Sequence, residues 1–375
     1  MWFNAAMDDL ERRIAGLFVI GFDGTTVPAD ARRLIDAGVA GAILFKRNIA
    51  SASQFGGLCG ELKRLAGRPF VTSVDQEGGR VARLRDDLGF TPVPPMRAVG
   101  AAGDERLAFD VGRVIGREVR AVNVDFDFAP VLDVDTNPAN PVIGDRSFGR
   151  TPELVARVGA AVLRGIQSAG VAACGKHFPG HGDTSQDSHV DLPTLPHTLE
   201  RLRRVELPPF RAAIDAGVAS VMTAHVIFTP LDAKYPATMS RPALDGILRD
   251  DMRFDGVVVS DDLEMKAIAE HFGLEEAVVR GANAGVDLFL VCHHADVQAK
   301  AIDLLANAVR RGHVREARVA EALRRVDALT ATYVQPPHAV QTDVIGSGEH
   351  RRVVDAVARR VEQRQLAVGR DPTEG

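Results

Sequence analysis

The chain has 375 residues, of which 46% are hydrophobic and 25% are charged, and its formal net charge is -5. A chain of this length and composition is expected to be globular, with one large core or two smaller ones. Its 45 lysine and arginine residues form no basic block interleaved with aromatic residues, which excludes nucleic acid as an expected partner.

The three cysteines, Cys59, Cys174 and Cys292, lie far apart in apolar or small-residue surroundings. Their odd number and wide separation predict buried free thiols in a reducing compartment, not a disulfide framework. Charged residues precede the apolar run within residues 1–20, which is the reverse order to a secretory signal. We therefore expect a soluble, cytoplasmic protein that does not bind a membrane and is a monomer or weak homo-oligomer.

Eight β-rich apolar runs alternate with helical patterns along the chain. The predicted strands are Leu17–Phe22, Val39–Phe45, Phe70–Asp75, Val122–Ala129, Val171–His177, Ser220–Val226, Gly256–Asp261 and Val286–Val291. The predicted helices are Ala29–Ala37, Ser53–Leu65, Glu105–Ala121, Pro152–Ala169, Leu199–Ala216, Ser240–Arg249, Ala267–Ala284 and Ala295–Arg311. Most runs are apolar almost throughout, as is typical of parallel strands covered on both faces.

This alternation predicts an α/β fold, a (β/α)8 TIM-like barrel with a short C-terminal helical extension. A doubly wound open sheet is the alternative, because the pattern does not show whether the sheet closes. The count of eight strands favours the barrel, as does the absence of a Gly-x-Gly-x-x-Gly turn after the first strand.

Polar residues gather where the predicted strands end. They are Asp75 after the third strand, Asp133 and Arg146 after the fourth, Lys176 and His177 at the end of the fifth, His225 after the sixth, and Asp261 with Asp262 at the end of the seventh. The carboxyl ends of barrel strands form one rim around the active site, so we expect these residues to converge.

Residues 175–193 combine one lysine, three histidines and three aspartates in a loop that contains glycine and proline. No folding requirement explains that composition, which is typical of an active-site loop. His177, His225 and Asp261 could serve as zinc ligands in a metal-dependent amidohydrolase, which is the alternative function. The His-x-His pair of such enzymes is missing from the first strand, so we predict neither a metal nor a cofactor.

Two carboxylates near the strand ends are candidate catalytic groups. Asp261 ends an apolar strand and is predicted to face the barrel mouth, whereas Asp262 suits a helix N-cap. The alternative for Asp261 is that it, too, serves as a cap or forms a salt bridge. In Asp187-Ser188-His189, the carboxylate would orient the imidazole and raise its basicity, which makes His189 a candidate general acid and base. Ordinary surface polarity is the alternative for this pair.

Three motifs agree in order and spacing with one known family. They are Asp75-Gln76-Glu77-Gly78-Gly79-Arg80, then Lys176-His177-Phe178-Pro179-Gly180-His181-Gly182-Asp183-Thr184 with Asp187-Ser188-His189, and Ser260-Asp261-Asp262-Leu263-x-Met265. The chain resembles glycoside hydrolase family 3 from about Leu17 to Leu329. Within that family it is most similar to the bacterial β-N-acetylglucosaminidase (β-hexosaminidase) branch that takes part in peptidoglycan recycling.

The resemblance implies a retaining exo-β-N-acetylglucosaminidase that removes terminal N-acetylglucosamine from muropeptide-type or short amino-sugar substrates. It implies that Asp261 is the nucleophile of a covalent glycosyl-enzyme, with His189 as acid and base and Asp187 as its partner. The positions that match sugar-binding residues are Asp75, Arg83, Arg146, Lys176 and His177. A salt bridge to Asp145 or Asp133 is the alternative for Arg146, and His225 is expected to line the same rim.

Other readings of the site stay open at this point. A relative in the same family could transfer the sugar to phosphate instead of water. A sugar-binding barrel without catalysis would need no nucleophile, and the presence of both Asp261 and the Asp187/His189 pair disfavours it.

The chain is predicted to divide into a catalytic barrel, residues 1–335, and a tail, residues 336–375. The tail contains an arginine-rich amphipathic helix, Glu349–Arg364. In two-domain relatives, a similar helix opens a second α/β domain. Either the tail is a remnant of that domain that packs on the barrel or on a neighbouring subunit, or the chain is shortened. We expect the tail to supply no catalytic group.

Overall fold

The computed structural model of the chain describes residues 8–186 and 192–368. The strands are β1 (Phe18–Ile20), β2 (Gly41–Ile43), β3 (Val71–Val74), β4 (Phe126–Asp127), β5 (Ala172–Phe178), β6 (Thr194–Leu195), β7 (Ser220–Thr223), β8 (Ile227–Phe228), β9 (Val257–Asp262) and β10 (Leu288–Val291). Eight of them close into a parallel barrel in the order β1-β2-β3-β4-β5-β7-β9-β10, while β6 and β8 pair separately. The predicted barrel is confirmed, and the open-sheet alternative is wrong.

Closure places one half of the strand residues inside the barrel and the other half under the helices. Val19 of β1 pairs with Gly41 of β2 and with Leu290 of β10, which joins the two edges of the sheet. Val19 belongs to a small core cluster with residues of other strands, whereas its neighbour Phe18 belongs to the large cluster that includes the helices. This alternation explains why the strands are apolar on both faces. The three cysteines are buried and free, as predicted.

The helices that cover the barrel are α1 (Asp9–Ala15), α2 (Ala29–Ala37), α3 (Ala52–Ala66), α4 (Met96–Ala102), α5 (Glu105–Ala121), α6 (Pro152–Ser168), α7 (Leu199–Arg204), α8 (Leu207–Asp215), α9 (Lys266–Ala269), α10 (Leu274–Ala284), α11 (Ala295–Arg310), α12 (Glu316–Tyr333) and α13 (Gly348–Val368). Residues Pro242–Asp251 form a π-helix. None of the helices within residues 8–186 and 192–368 is long and apolar enough to cross a membrane.

Two of the predicted helices are each divided in the structure. The helix predicted over 199–216 breaks between α7 and α8 because Pro208 and Pro209 lack the N–H groups that would bond to the preceding turn. The helix predicted over 267–284 breaks before α10 at Gly273, whose φ of 78° lies in the left-handed region that favours glycine.

Buried ion pairs close the end of the barrel that lies opposite the polar rim. Asp287 precedes β10 and is fully buried; it accepts hydrogen bonds from Arg249 Nη2 at 2.6 Å, from the backbone N–H of Val258 at 3.0 Å, and from Arg318 and Arg325. These contacts tie the amino ends of β9 and β10 to the π-helix and to α12. The two oxygens of this buried carboxylate are therefore fully paired with donors, most of them cationic, which offsets the cost of removing it from water.

The C-terminal tail packs on α4 and α5. His350 of α13 is buried, and its Nδ1 lies 2.8 Å from Oε1 of the buried Glu118 of α5. Val357 is also buried, and the Arg364 guanidinium donates to the carbonyl oxygens of Ala101 and Ala102. The predicted helical extension is therefore present and held against the barrel. Its origin as a remnant of a second domain stays a prediction.

Candidate active site

A cavity of about 530 Å³ opens at the carboxyl ends of the barrel strands. The predicted site residues that line it are Asp75, Arg83, Arg146, Lys176, His177 and Asp261. Four apolar side chains from the barrel also line it: Ile43, Phe45, Met222 and Leu290. The two remaining predicted residues, Asp187 and His189, lie outside the described residues. Residues that are far apart in the sequence therefore meet at one rim, as expected for a barrel.

A chain of ion pairs forms one wall of the cavity. Lys176 Nζ donates to Asp75 Oδ1 at 2.8 Å and lies 2.7 Å from Glu77 Oε1. Arg146 binds Glu77 in a bidentate manner, with Nε and Nη2 each donating at 2.8 Å. Arg83 Nη2 donates to Asp75 Oδ2 at 3.0 Å. Both carboxylates thus hold two cations each, which fixes the long side chains of Lys176 and Arg146.

The charges in this wall are stable over the physiological pH range. Burial by itself would raise the pKa of Glu77, but Arg146 and Lys176 outweigh it and hold that pKa far below its usual value. Burial would likewise lower the pKa of Lys176, but Asp75 and Glu77 outweigh it and raise that pKa. The wall therefore presents fixed charges and hydrogen-bond donors to a ligand, and none of these groups serves as a proton carrier near neutral pH.

Glu77 is a site residue that the sequence analysis did not assign. It is 2% exposed and stands behind Lys176 and Arg146. A salt bridge to Asp145 or Asp133 was the alternative for Arg146. Arg146 pairs with Glu77 instead, whereas Asp145 pairs with Arg80 at the exposed rim and Asp133 with His177. The sequence feature that could have indicated Glu77 is a second carboxylate two residues after Asp75. The partner of Glu77 could not be found from the sequence because 69 residues separate it from Arg146.

His177 has one ring nitrogen fixed by a buried carboxylate. Asp133 Oδ2 lies 2.7 Å from His177 Nδ1, and Asp133 Oδ1 accepts from the backbone N–H groups of His177 and His181 at 3.2 and 2.7 Å. Burial would raise the pKa of Asp133, but His177 and these donors lower it, so the carboxylate is ionised. Nδ1 of His177 then carries a proton towards Asp133, and Nε2 is the ring atom left for a ligand.

His181 holds the bend after β5. Burial, with the neighbouring His177, lowers the pKa of His181 to about 4, so the ring is neutral near pH 7. Its Nδ1 lies 2.8 Å from the hydroxyl of Thr184, and its backbone oxygen accepts from Asn140 Nδ2 at 2.9 Å. These contacts tie the bend to Thr184 and to Asn140.

The two adjacent aspartates at the end of β9 have different surroundings. Asp261 is half-buried at the cavity, and its Oδ1 accepts from the backbone N–H of Asp262 at 2.8 Å. Asp262 Oδ1 accepts from the backbone N–H groups of Glu264 and Cys292, both at 3.1 Å, and its Oδ2 lies 3.2 Å from His293 Nε2. Asp262 is thus engaged in holding the following turn and the end of β10.

His225 does not line the cavity rim, which corrects the expectation from the sequence. Its ring is 0% exposed, Nε2 lies 3.0 Å from the carbonyl oxygen of Asp262, and Nδ1 lies 2.7 Å from the hydroxyl of Thr238. The residue follows β7 by two positions, where the chain has turned behind β9. Both ring nitrogens are engaged within the protein, so His225 has no nitrogen left for a metal ion. Across residues 8–186 and 192–368, no group of three or more His, Cys, Asp or Glu side chains is arranged to hold one.

Comparison with known proteins agrees with this geometry. Residues 9–329 match the family described as "Glycosyl hydrolase family 3 N terminal domain". A protein of Thiobacillus denitrificans named beta-hexosaminidase is 48% identical over 274 residues, which cover 72% of this chain and 75% of that protein.

Two solved structures have the same fold over most of the chain. A family 3 beta-N-acetylglucosaminidase from Paenibacillus is 44% identical with a TM-score of 0.90, over 95% of this chain and 69% of that one. NagZ from Neisseria gonorrhoeae, in complex with N-trifluoroacetyl-D-glucosamine, is 33% identical with a TM-score of 0.76, over 92% of this chain and 98% of that one. The chain belongs to glycosyl hydrolase family 3 and is a glycosidase.

Proposed function

We propose that this chain is a retaining exo-β-N-acetylglucosaminidase that works through a covalent glycosyl-enzyme. The observation that carries the proposal is the position of Asp261, which ends β9 at a cavity whose wall is the ion-paired cluster around Asp75, Lys176 and Arg146. The names of the similar proteins support the same activity, and one neighbour is described in complex with an N-acylated glucosamine.

In the first step, an Asp261 oxygen attacks the anomeric carbon and the bond from that carbon to the leaving oxygen breaks. His189, oriented by Asp187, donates the proton that the leaving oxygen needs. In the second step, water attacks the anomeric carbon, His189 takes the proton of that water, and the bond to Asp261 breaks. Two inversions retain the β-configuration.

The wall of the cavity suits a neutral, polyhydroxylated ligand. Lys176 has three N–H donors, two of which are directed at Asp75 and Glu77, so the third remains for a sugar oxygen. The Asp75 carboxylate retains acceptor capacity for hydroxyl groups beyond the bonds from Lys176 and Arg83. We propose that Arg146 and His177 contribute further donors to the same sugar.

Charge balance favours the bond-breaking step. Glycoside cleavage builds positive charge at the anomeric carbon. In the wall, the cations Arg83, Arg146 and Lys176 are paired with the carboxylates of Asp75 and Glu77, and Asp261 adds a carboxylate at the same cavity. The wall can therefore bind hydroxyl groups through its donors without a large net positive field at the reacting carbon.

The natural substrate follows from the resemblance rather than from the geometry. We propose terminal N-acetylglucosamine on a short muropeptide-type or other amino-sugar substrate, cleaved in the cytoplasm during peptidoglycan recycling. With one tryptophan and two tyrosines in the whole chain, there is no aromatic track along which a long polysaccharide could slide.

Burst kinetics with an aryl N-acetyl-β-glucosaminide test the mechanism. We expect Asp261→Ala to lose turnover and the burst, because no covalent intermediate can form. His189→Ala should lose far more activity on a substrate with a poor leaving group than on an activated phenol, since only the former needs the proton. The matched control is Asp145→Ala at the exposed rim. Unchanged turnover in Asp261→Ala would refute the mechanism, and sugar phosphate formed only in phosphate buffer would redirect it to phosphorolysis.

A further inference from the structure

His225 lies against the strand end that carries the candidate nucleophile. It follows β7, and its fully buried ring sits between that strand and the end of β9. Its Nε2 lies 3.0 Å from the carbonyl oxygen of Asp262, the residue that follows Asp261. The ring lines no part of the cavity and so has no direct access to a substrate.

The hydrogen bonds around His225 can have only one direction when the ring is neutral. A carbonyl oxygen accepts and never donates, so Nε2 must carry the proton and donate to Asp262. Nδ1 is then an acceptor, and the Thr238 hydroxyl at 2.7 Å must donate to it. The Thr223 hydroxyl, 2.8 Å from the Thr238 oxygen, donates in turn to that oxygen. The result is a directed chain from Thr223 through Thr238 and His225 to Asp262.

The surroundings of the ring favour this neutral form. Burial lowers the pKa of His225 and outweighs the attraction of Asp261 and Asp262. An imidazolium would carry a proton on both nitrogens, and the Thr238 hydroxyl would then have to turn its proton towards the Thr223 oxygen or the Ala224 carbonyl, which reverses or breaks the chain. Both threonines are fully buried, so water cannot substitute for either hydroxyl without a rearrangement.

The end of β9 is held from its other side as well. The Asp262 side chain accepts from the backbone N–H of Cys292, which follows β10, and the backbone N–H of Leu263 donates to Leu290 at 3.0 Å. On the β7 side, Nε2 of His225 donates to the carbonyl oxygen of Asp262. The peptide that follows Asp261 is thus fixed from both neighbouring strands.

We propose that His225 is a positioning residue for the nucleophile. Together with Thr238 and Thr223, His225 fixes the carboxyl end of β9, and this aligns the Asp261 carboxylate with the anomeric carbon. This inference rests on the proposed function, because it assigns to Asp261 the role of nucleophile. It predicts that His225 affects the formation of the glycosyl-enzyme and not the binding of the sugar, since the ion-paired wall lies on β3, β5 and the loops that follow β3 and β4.

A pair of amide variants tests the donor to Asp262. The amide nitrogen of Gln reaches about as far as Nε2 of His, whereas that of Asn reaches only as far as Nδ1, so His225→Gln keeps the bond and His225→Asn loses it. A displacement of about 1 Å at a reacting group costs roughly 100-fold in rate. We expect the rate constant of the burst, which measures glycosyl-enzyme formation, to fall about 10- to 100-fold in His225→Asn and less than about fivefold in His225→Gln, with unchanged affinity for N-acetylglucosamine in both.

A second pair tests the chain without replacing the histidine. Thr238→Val removes the hydroxyl, and Thr238→Ser retains it. We expect a slower burst in Thr238→Val only, and no further loss when Thr238→Val is added to His225→Asn, because the two residues act as one unit. In ¹⁵N spectra of the histidine rings at pH 8, His225 should show the Nε2–H form, and its Nδ1 signal should move in Thr238→Val.

Asp261→Ala separates the two possible failures. If Asp261→Ala keeps its activity, the proposed function fails together with this inference. If Asp261→Ala is inactive while folded His225→Asn and Thr238→Val keep a burst rate constant within about twofold of the native value, only the positioning role is refuted. Weaker sugar binding in these variants with the burst rate constant unchanged would refute it as well, as would an Nδ1–H form of the His225 ring at pH 8.

Discussion

Replacing Glu77 with glutamine should reveal how strongly the ion-paired wall of the cavity depends on one buried carboxylate. Glu77 receives two hydrogen bonds from Arg146 and lies 2.7 Å from Lys176 Nζ, while its side chain is almost fully buried. Glutamine keeps the shape but loses the charge, and its amide group turns two N–H donors towards cations. Removing one partner from a buried ion pair typically costs about 3–5 kcal/mol, because the remaining charge stays desolvated.

The expected change in thermal stability follows from the size of the chain. Unfolding entropy near 60 °C is about 2.1 cal/mol/K per residue, which gives roughly 0.8 kcal/mol/K for 375 residues. A loss of about 4 kcal/mol therefore lowers Tm by roughly 5 °C. Lys176 and Arg146 should also lose their fixed positions, so the affinity for N-acetylglucosamine should fall together with Tm.

The pKa of Glu77 also predicts how the loss in Tm depends on pH. Despite burial, Arg146 and Lys176 hold the pKa of Glu77 far below its usual value, so its contribution to stability is present above the unfolded pKa and is lost only in strong acid. The difference in Tm between Glu77→Gln and the native protein should therefore be the same at pH 5.5 and at pH 8.

Calorimetry of unfolding and of N-acetylglucosamine binding provides both measurements. Asp145→Asn is the matched control, since its pair with Arg80 is about half exposed and an exposed pair contributes less than about 1 kcal/mol. The reasoning is refuted if Glu77→Gln changes Tm by no more than Asp145→Asn does and binds the sugar as the native protein does.

Four further variants test other parts of the structure. Asp287→Asn deprives Arg249, Arg318 and Arg325 of their carboxylate partner and should cost about 3–5 kcal/mol in unfolding experiments. We expect kcat to stay unchanged because the site is at the other end of the barrel, and a lower kcat in the folded variant would contradict this. Burial outweighs the attraction of Arg201 and raises the pKa of Glu206 from 4.5 to about 7, so the folded state loses stability as the pH rises through this range. Glu206→Gln should therefore have a higher Tm than the native protein at pH 8 but not at pH 4.5. An equal difference at both pH values would argue against this. His350→Ala deprives buried Glu118 of a donor and should cost about 1.5–3 kcal/mol, while kcat stays unchanged. Deletion of residues 336–375 should likewise spare kcat per folded molecule, and loss of turnover with a barrel still folded by circular dichroism would show that the tail supplies a catalytic group.

The division of α7 from α8 shows where sequence reasoning went wrong although the signal was visible. Pro208 and Pro209 stand inside the helix predicted over 199–216, and each removes a backbone donor. The apolar periodicity on either side was continuous, so it predicted one helix. The same holds for Gly273, where a left-handed backbone conformation interrupts an otherwise regular pattern.

The residues of the site were easier to identify than their partners. Asp75, Lys176 and Asp261 could be predicted because a charged residue at the end of an apolar strand is costly unless it is paired or used. The role of Glu77 could not, since the motif that contains it offers two carboxylates and no indication of which cation each one binds. His225 was placed at the rim for the same reason as Asp261, whereas the structure turns its ring behind β9.

The sequence by itself determined the number of barrel strands, their parallel direction and the end of the barrel at which the polar residues gather, because these follow from local runs of apolar residues and from the polar residues that end them. Only the tertiary structure decided which charges pair, which of two adjacent aspartates holds a turn, and that His225 bonds to the carbonyl oxygen of Asp262. Those contacts join residues that are distant in the sequence, 101 positions apart in the bond from Lys176 to Asp75. Their energies depend on burial and distance, which exist only once the barrel has closed.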